Sequence, residues 1–273
     1  MKRYIHVVVI VTLITLTIVL SAAFALGGIA LYLPPRNVRS LAEIFLKTTF
    51  NPEYRISPMS PEAVTAIVWD YRGLDTLFET SVMFLAIVGA LTLFRGLSEK
   101  LPQEEAEYRG GLSVIVKTVT RIAIVMIIAV GASLALHGHL TPGGGFQGGA
   151  TIAVAPMLII ITFSTYFMSR SISVKKAVLL RSIGLSVIAL TTFLVLIIAL
   201  TQNGTAYIFQ NQPKVYADYG IPSYLGDTIV LGGTLLLFNA AETFAVAFGF
   251  IALLILITIP EDYAKTIILE GEE

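Results

Sequence analysis

Two long apolar runs of the chain are joined by the stretch Gly138-His-Leu-Thr-Pro-Gly-Gly-Gly-Phe-Gln-Gly-Gly149, which contains six glycines, one proline and no Asp, Glu, Lys or Arg. Glycine allows backbone conformations that other residues avoid and lets a neighbouring helix approach closely. Glycine clusters also mark simple hairpin loops, so a flexible loop is the alternative. We expect a turn packed inside protein at membrane depth, because irregular backbone there must have its polar groups satisfied. This predicted structural turn consists of Thr141, Pro142, Gly143, Gly144, Gly145, Phe146, Gln147, Gly148 and Gly149.

The composition is that of a membrane protein. Of the 273 residues, 56% are hydrophobic and only 13% are charged, whereas soluble domains carry about 25% charged residues. Basic and acidic residues are equal in number, at 18 each, so no basic excess points to nucleic acid. The chain has no cysteine, which excludes disulfides, thiolate catalysis and iron–sulfur ligation. We expect no cofactor, no metal site and no catalytic centre.

Six apolar segments have the roughly 20 residues that a helix needs to cross the hydrocarbon. They predict an all-α, polytopic membrane protein with about six transmembrane helices. The first segment is too long for the core of a signal peptide and is expected to be retained. The second and the sixth exceed a perpendicular crossing, and Arg72-Gly73 and Gly232-Gly233 are their weak points. The segments are Val7–Leu33, Ala63–Phe94, Val114–Leu136, Phe146–Met168, Val178–Leu200 and Thr228–Ile259.

The distribution of basic residues predicts the orientation in the cell (plasma) membrane. The glycine turn holds no Lys or Arg and the link 201–227 holds only Lys214, which places both outside. The link 34–60 has four basic residues and disagrees with its predicted place outside. Both termini and two basic links are expected in the cytoplasm; these links contain Arg95, Lys100, Arg109, Lys117 and Arg121, and then Arg170, Lys175, Lys176 and Arg181.

A polar stretch, residues 97–113, divides the chain into two predicted pieces. Residues 1–96 form a two-span N-terminal piece, and residues 114–273 form a four-span C-terminal piece. The two pieces show no internal repeat, which argues against an inverted-repeat transporter complete in one chain.

The second span begins with several charges, in the stretch Asp70-Tyr-Arg-Gly-Leu-Asp-Thr-Leu-Phe-Glu79. In one continuous helix Arg72, Asp75 and Glu79 share a stripe, three and four residues apart. Charged residues inside a span face protein or water, so a proton or sodium pathway is one hypothesis. In the alternative, residues 63–73 form an interfacial helix that starts at Ser60-Pro61, and the true span begins near Thr76.

The other polar candidates lie on the C-terminal piece. Glu242 is alone in the sixth segment, with Asn239 and Thr243 on nearly the same face. It is a candidate for an ion pathway or an inter-subunit contact, and a structural hydrogen bond is the alternative. His137 and His139 point to opposite faces of a helix, so they do not form a metal pair. One of them could relay protons, and an interfacial role fits equally well.

These motifs resemble two parts of the Mrp-type multisubunit Na+/H+ antiporters. The stretch Gly138–Gly149 resembles the signature turn of the four-span MrpB subunit. The stretch Val64–Glu79 resembles the region V-D-F-R-G-F-D-T-L-G-E at the C-terminal end of the MrpA subunit, with Tyr71, Leu74 and Phe78 as departures. The last span departs as well, since MrpB usually has an aspartate where Glu242 lies nearby.

The resemblance implies a fusion of these two parts. In archaeal hydrogenases, formate hydrogenlyases and sulfane reductases they form a small E subunit and an F subunit. It implies partners that are MrpA-, MrpC-, MrpD-, MrpE-, MrpF- and MrpG-like, or hydrogenase-like and sulfane-reductase subunits, together with Na+, H+ and lipid. It further implies a non-redox subunit that contributes to sodium/proton translocation. The residues themselves predict the candidate ion pathway, which consists of Asp70, Arg72, Asp75, Glu79, Asn239, Glu242, His137 and His139. The alternative is a structural adaptor without its own ion pathway.

Overall fold

The computed structural model describes residues 2–26, 39–94, 111–164, 167–168, 171–222, 224–225, 229–259 and 265. The chain forms two compact units, residues 1–44 and residues 45–273. The first unit contains α1 (Lys2–Ala25) and the start of α2 (Ser40–Thr48). The predicted continuation of the first span to Leu33 lies outside the described residues.

The second unit contains the helices that are long and apolar enough to cross a membrane. Five such helices, α4 to α8, lie within the described part of the chain, which confirms the predicted all-α, polytopic class. Two-residue strands, β1 (Tyr224–Leu225) and β2 (Ile229–Val230), pair antiparallel, with Tyr224 opposite Val230. The helices are α3 (Ala63–Ala66), which continues as a π-helical segment (Ile67–Tyr71), and then α4 (Gly73–Leu93), α5 (Val114–Leu136), α6 (Gly145–Thr162), α7 (Val174–Thr201) and α8 (Thr234–Ile257).

Both predicted weak points lie where a helix begins. The backbone leaves the helical region at Arg72, with φ −130° and ψ 34°, and α4 starts at the next residue. Gly232 and Gly233 have φ values of 60° and 59°, which side-chain-bearing residues rarely adopt. The last span therefore starts at Thr234 and not at residue 228, because the two glycines just before it have positive φ values that do not continue a right-handed helix.

Helix α8 is the centre of the bundle. It packs against α6 and α7. In an 18-residue apolar stretch of α8, 56% of the residues are buried, whereas only 11% are buried in the corresponding stretch of α4. One buried cluster, which includes Trp69, Phe209 and Phe238, lies around its beginning. A second cluster, which includes Ile251 and Ile255, lies around its end. Among the described residues of the second unit, most of α4 is thus unburied.

Three connecting segments gather at one end of the bundle, where α4, α6 and α8 begin and α5 and α7 end. We call the described residues of segments 49–72, 137–144 and 202–233 the cap. The Ser60 hydroxyl donates to the carbonyl of His139 (2.7 Å). The Asn211 amide donates to the carbonyl of Pro58 (2.8 Å) and accepts from the backbone N–H of Thr234 (2.7 Å). The cap therefore joins the segment before α4 to both later connections by hydrogen bonds.

Several residues used to predict the orientation do not lie in links. Lys117 and Arg121 belong to α5, and Arg181 is a buried residue of α7. Counting them as loop charges was wrong, because helices start before them. Arg95, Lys100, Arg109 and Arg170 lie outside the described residues, as does most of the predicted linker 97–113.

Replacing Gly149 by Ala should destabilise the packing of α6 on α8. A Cβ at this position would lie 2.8 Å from the carbonyl oxygen of Thr243 and 2.8 Å from the Cβ of Val246. Overpacking of this kind costs about 1–3 kcal/mol, so the purified protein should unfold at a lower temperature. Gly89→Ala is the matched control, because a Cβ there meets no atom within 4 Å. Equal stability of the two variants would contradict the described contact.

Candidate functional site

Glu242 lies against the first residues of α6. It is buried in α8, with 9% of the residue exposed, and a Cβ on Gly145 would lie 2.5 Å from its Oε2 atom. Only glycine at position 145 permits this approach. The unpaired N–H groups at a helix N-terminus favour negative charge. The turn thus brings the start of α6 to a carboxylate located on another helix. Thr243 donates to the carbonyls of Asn239 (2.7 Å) and Gly145 (3.1 Å), which fixes the two helices beside it.

A cavity of about 320 Å³ lies beside Glu242. Glu79 lines it from α4, so the cavity brings together carboxylates that are far apart in sequence. The Asn239 side chain also lines it, and its Oδ1 and Nδ2 atoms are buried without a hydrogen-bond partner. Trp69 lines the cavity as well, and its indole N–H approaches the Glu242 carboxylate. The lining consists of Val64, Thr65, Val68, Trp69, Thr76, Glu79, Gly143, Gly144, Gly145, Phe146, Gln147, Asn239 and Glu242, and includes no Lys, Arg or His.

The other predicted charges line a separate cavity of about 310 Å³ at the cap end of α4. Asp70, Arg72 and Asp75 line it together with Phe209. Arg72 and Asp75 form an ion pair (2.5 Å) in which both side chains are more than half exposed. Glu79 does not line this cavity. Arg72 and Asp75 thus line one cavity and Glu79 lines the other, although Asp75 and Glu79 both belong to α4.

Asp70 is held by a residue of the distant link 202–233. The Lys214 ammonium lies 2.6 Å from Oδ2 of Asp70, with side-chain exposures of 17% and 2%. Lys214 also donates to the carbonyl of Ile56 (3.1 Å). Burial raises the pKa of the Asp70 carboxyl, and the nearby charge and hydrogen bond of Lys214 oppose that rise. The pair therefore fixes the π-helical segment to the rest of the cap.

The two histidines have different surroundings. His137 is exposed and ends α5, and its Nδ1 lies 3.2 Å from the carbonyl of Ser133. His139 is buried, and its Nε2 lies 2.8 Å from the carbonyl of Val230. A carbonyl only accepts, so Nε2 carries the hydrogen. Burial lowers the pKa of the His139 imidazole, which favours this neutral form. Neither histidine lines the cavity that contains Glu242.

Two residues of the site were not selected from the sequence. Trp69 stacks on Phe238 with ring centroids 4.4 Å apart, and it forms a wall of the cavity. Lys214 was noted only as a loop charge. A signal for Lys214 existed, because it is the one basic residue in the link 201–227 and an unpaired Asp70 needed a partner.

Comparisons with known proteins agree on the type of subunit. Residues 115–252, about half of the chain, match the family described as a domain related to the MnhB subunit of Na+/H+ antiporter. An uncharacterized protein of Methanocaldococcus jannaschii is 31% identical over 155 residues, which cover 52% of this chain. The chain spans about half the length of that relative, because the aligned part is 56% of it.

Two solved structures have a similar fold. A chain of the membrane-bound sulfane sulfur reductase, an archaeal respiratory membrane complex, is 25% identical with a TM-score of 0.63; the match covers 92% of this chain and 98% of that one. A chain of the Mrp complex from Dietzia sp. DQ12-45-1b matches with a TM-score of 0.58 and 18% identity. That match covers 92% of this chain and 26% of the Dietzia chain, and at this identity it supports the fold alone.

Replacing Lys214 by Met should destabilise the cap. Removing one partner of a buried ion pair leaves an uncompensated charge and costs about 3–5 kcal/mol. The Arg55–Asp218 pair is the matched control, because it also joins two segments of the cap but is 66% and 81% exposed. Arg55→Met should cost no more than about 1 kcal/mol. Thermal unfolding of the purified protein measures both, and a Lys214→Met variant as stable as Arg55→Met would show that the buried pair has no such role.

Proposed function

Because the chain belongs to the family of domains related to the MnhB subunit of Na+/H+ antiporters, we propose that it is a non-redox membrane subunit of an Mrp-type Na+/H+ antiporter module. The likeness to a chain of the sulfane sulfur reductase supports a place in an archaeal respiratory complex. In this proposal the subunit contributes to sodium/proton translocation and has no catalytic centre. Its partners are other Mrp-module subunits and, within a respiratory complex, hydrogenase-like or sulfane-reductase subunits.

The observation that carries the proposal is the pair of carboxylates, Glu79 and Glu242, on one cavity whose described lining residues include no Lys, Arg or His. If two carboxylates share a poorly solvated site, either one of them takes up a proton or a cation binds near them. The buried amide of Asn239 adds a donor and an acceptor without protein partners. Such a site favours exchange of a proton or a sodium ion, because no described lining residue is a cation that could pair permanently with Glu79 or Glu242.

The proposed route includes the second cavity. Asp70, Arg72 and Asp75 line the approach at the cap end, and Glu79, Asn239 and Glu242 line the inner part. A cation that leaves water needs replacement oxygen ligands, which carboxylates and the Asn239 amide supply. In this proposal the cap faces outside and both termini lie in the cytoplasm, in the cell membrane. The route therefore begins on the outer side of the subunit.

The domain division follows from the same proposal. Residues 114–273 correspond to the MrpB-like part, which contains the family match at 115–252. Residues 1–96 correspond to the C-terminal end of MrpA, and residues 97–113 link the two. We call the cavity of about 320 Å³ beside Glu242 the inner cavity. Since Glu79 comes from the first part and Glu242 from the second, the inner cavity requires both parts.

A structural adaptor is the second candidate function. Asp75 and Glu79 are exposed on α4. Only 11% of the 18-residue apolar stretch of this helix is buried. A carboxylate exposed on a spanning helix is costly in lipid and needs protein or water beside it. A neighbouring subunit would cover that face, and the carboxylate would then serve only to hold it.

We expect Glu79→Gln and Glu242→Gln each to lower sodium-dependent transport by membrane vesicles by roughly a hundredfold or more, the scale on which a proton-transfer group acts. Glutamine keeps the size of the side chain and removes its charge. The measurement is uptake of ²²Na+ driven by an imposed pH gradient in vesicles that contain the whole complex. Glu53→Gln is the control, because Glu53 is exposed in the cap and lines neither of the two cavities.

The amount of each neighbouring subunit that copurifies with the chain separates the two candidates. A pathway role predicts slower transport in a complex of unchanged composition. An adaptor role predicts that Glu79→Gln loses a neighbouring subunit. Unchanged transport in both Gln variants would reject the pathway.

A further inference from the structure

Helix α4 has few contacts with the rest of the bundle along its spanning part. Its described hydrogen bonds to the other spanning helices come from one residue, Arg181 of α7. The Nη2 atom of Arg181 donates to the carbonyl of Phe84 at 3.2 Å. Its Cζ atom lies 4.7 Å from the centroid of the Phe84 ring. One side chain therefore contacts both the backbone and the ring of the same α4 residue.

The surroundings of Arg181 leave room for this contact. Arg181 belongs to α7 and is only 3% exposed. A Cβ on Gly249 would lie 3.5 Å from the Cδ of Arg181 and 2.6 Å from the Cδ1 of Ile87. The arginine thus passes α8 at a position without a side chain, where α4 also approaches closely.

The charge of Arg181 has no carboxylate partner among the described residues. A charged group inside a span is costly, so it is retained where it has a role. Arginine suits this position because its planar guanidinium stacks on an aromatic face and donates in the same plane. The carbonyl and the ring of Phe84 offer those two partners.

We propose that Arg181 is a positioning residue that fixes α4, and with it Glu79, against the helix that carries Glu242. Phe84 follows Glu79 by five residues, which is about 7.5 Å along a helix axis. A shift of α4 at Phe84 therefore moves Glu79 relative to the inner cavity. The inference rests on the proposed function for its effect on transport, whereas the anchoring of α4 is tested separately.

The anchoring test uses the absence of cysteine from the chain. The pair Ile87→Cys and Gly249→Cys places two thiols at the close approach of α4 and α8, and removing the isoleucine side chain makes room for the new Cβ. Disulfide formation is followed in the whole complex by counting free thiols with a maleimide polymer. Arg181→Met should slow this reaction roughly tenfold or more, because it removes both contacts with Phe84.

Two further variants separate the contact from a general folding defect. Phe84→Leu removes the ring and keeps the carbonyl, so it should slow cross-linking without a change of charge. Arg181→Lys keeps a cation over the ring and should restore part of the rate lost in Arg181→Met. Arg121→Met is the matched control, because Arg121 lies 5.5 Å from the Phe163 ring, away from α4, and should leave the rate unchanged. Rates are compared only for complexes of equal subunit content.

Transport by the same variants, without the introduced cysteines, completes the test. Slower cross-linking together with lower sodium transport in Arg181→Met and Phe84→Leu, both partly restored by Arg181→Lys, supports the inference. Unchanged cross-linking in Arg181→Met overturns it. Slower cross-linking with normal transport overturns the link to Glu79 if Glu79→Gln impairs transport. If neither Glu79→Gln nor Glu242→Gln has an effect, the proposed pathway fails, and the cross-linking rate alone decides whether Arg181 anchors α4.

Discussion

The close approach of α6 to α8 at Gly145 is the constraint on which the site depends. With any side chain at this position, the start of α6 could not reach the carboxylate of Glu242, since a Cβ would lie 2.5 Å from it. The favourable field of a helix N-terminus acts mainly within the first turn. A displaced α6 would therefore leave a buried carboxylate without that field. The glycine turn thus determines where a negative charge is tolerated inside the bundle.

The inner cavity is composite, and the cap makes it so. Thr65 donates to the carbonyl of Gly138 (2.6 Å), and Trp69 stacks on Phe238 (4.4 Å). Together with the Lys214–Asp70 pair, these contacts hold the segment before α4 on the later connections. Since α4 itself is mostly unburied, its position follows from a few contacts, those of the cap at its start and the contact of Arg181 with Phe84. A site built from Glu79 and Glu242 is then sensitive to the cap as well as to the residues that line it.

Periodicity and composition predicted the class of the fold well, because long apolar runs in a chain with few charges leave helices as the only spanning solution. They also marked Arg72-Gly73 and Gly232-Gly233 as weak points, where local backbone preferences decide the outcome, but they started the last span at residue 228 and α8 begins at Thr234. The predicted stripe of Arg72, Asp75 and Glu79 assumed one continuous helix; α4 begins only after Arg72, and Asp75 and Glu79 line different cavities although both belong to α4. Arg181 was counted as a loop charge, since a sequence window does not show that a distant Phe84 lies under its guanidinium. The partners of buried charges are tertiary facts, and local patterns do not contain them.

The distribution of charge that has no internal partner gives a reason to treat this chain as part of a larger assembly. Near the cap, Asp75 compensates the charge of Arg72, and Lys214 compensates the charge of Asp70. Glu79 has no ion-pair partner among the described residues and is exposed on α4. Lipid cannot solvate such a group, so it must face water or another polypeptide. A second polypeptide is the more consistent answer, because the apolar residues around it, such as Phe78 and Val82, are exposed on the same helix and would gain little from water. Covering that face with protein would enclose the inner cavity and remove its carboxylates from bulk solvent, a condition under which they exchange protons or cations rather than remain permanently charged.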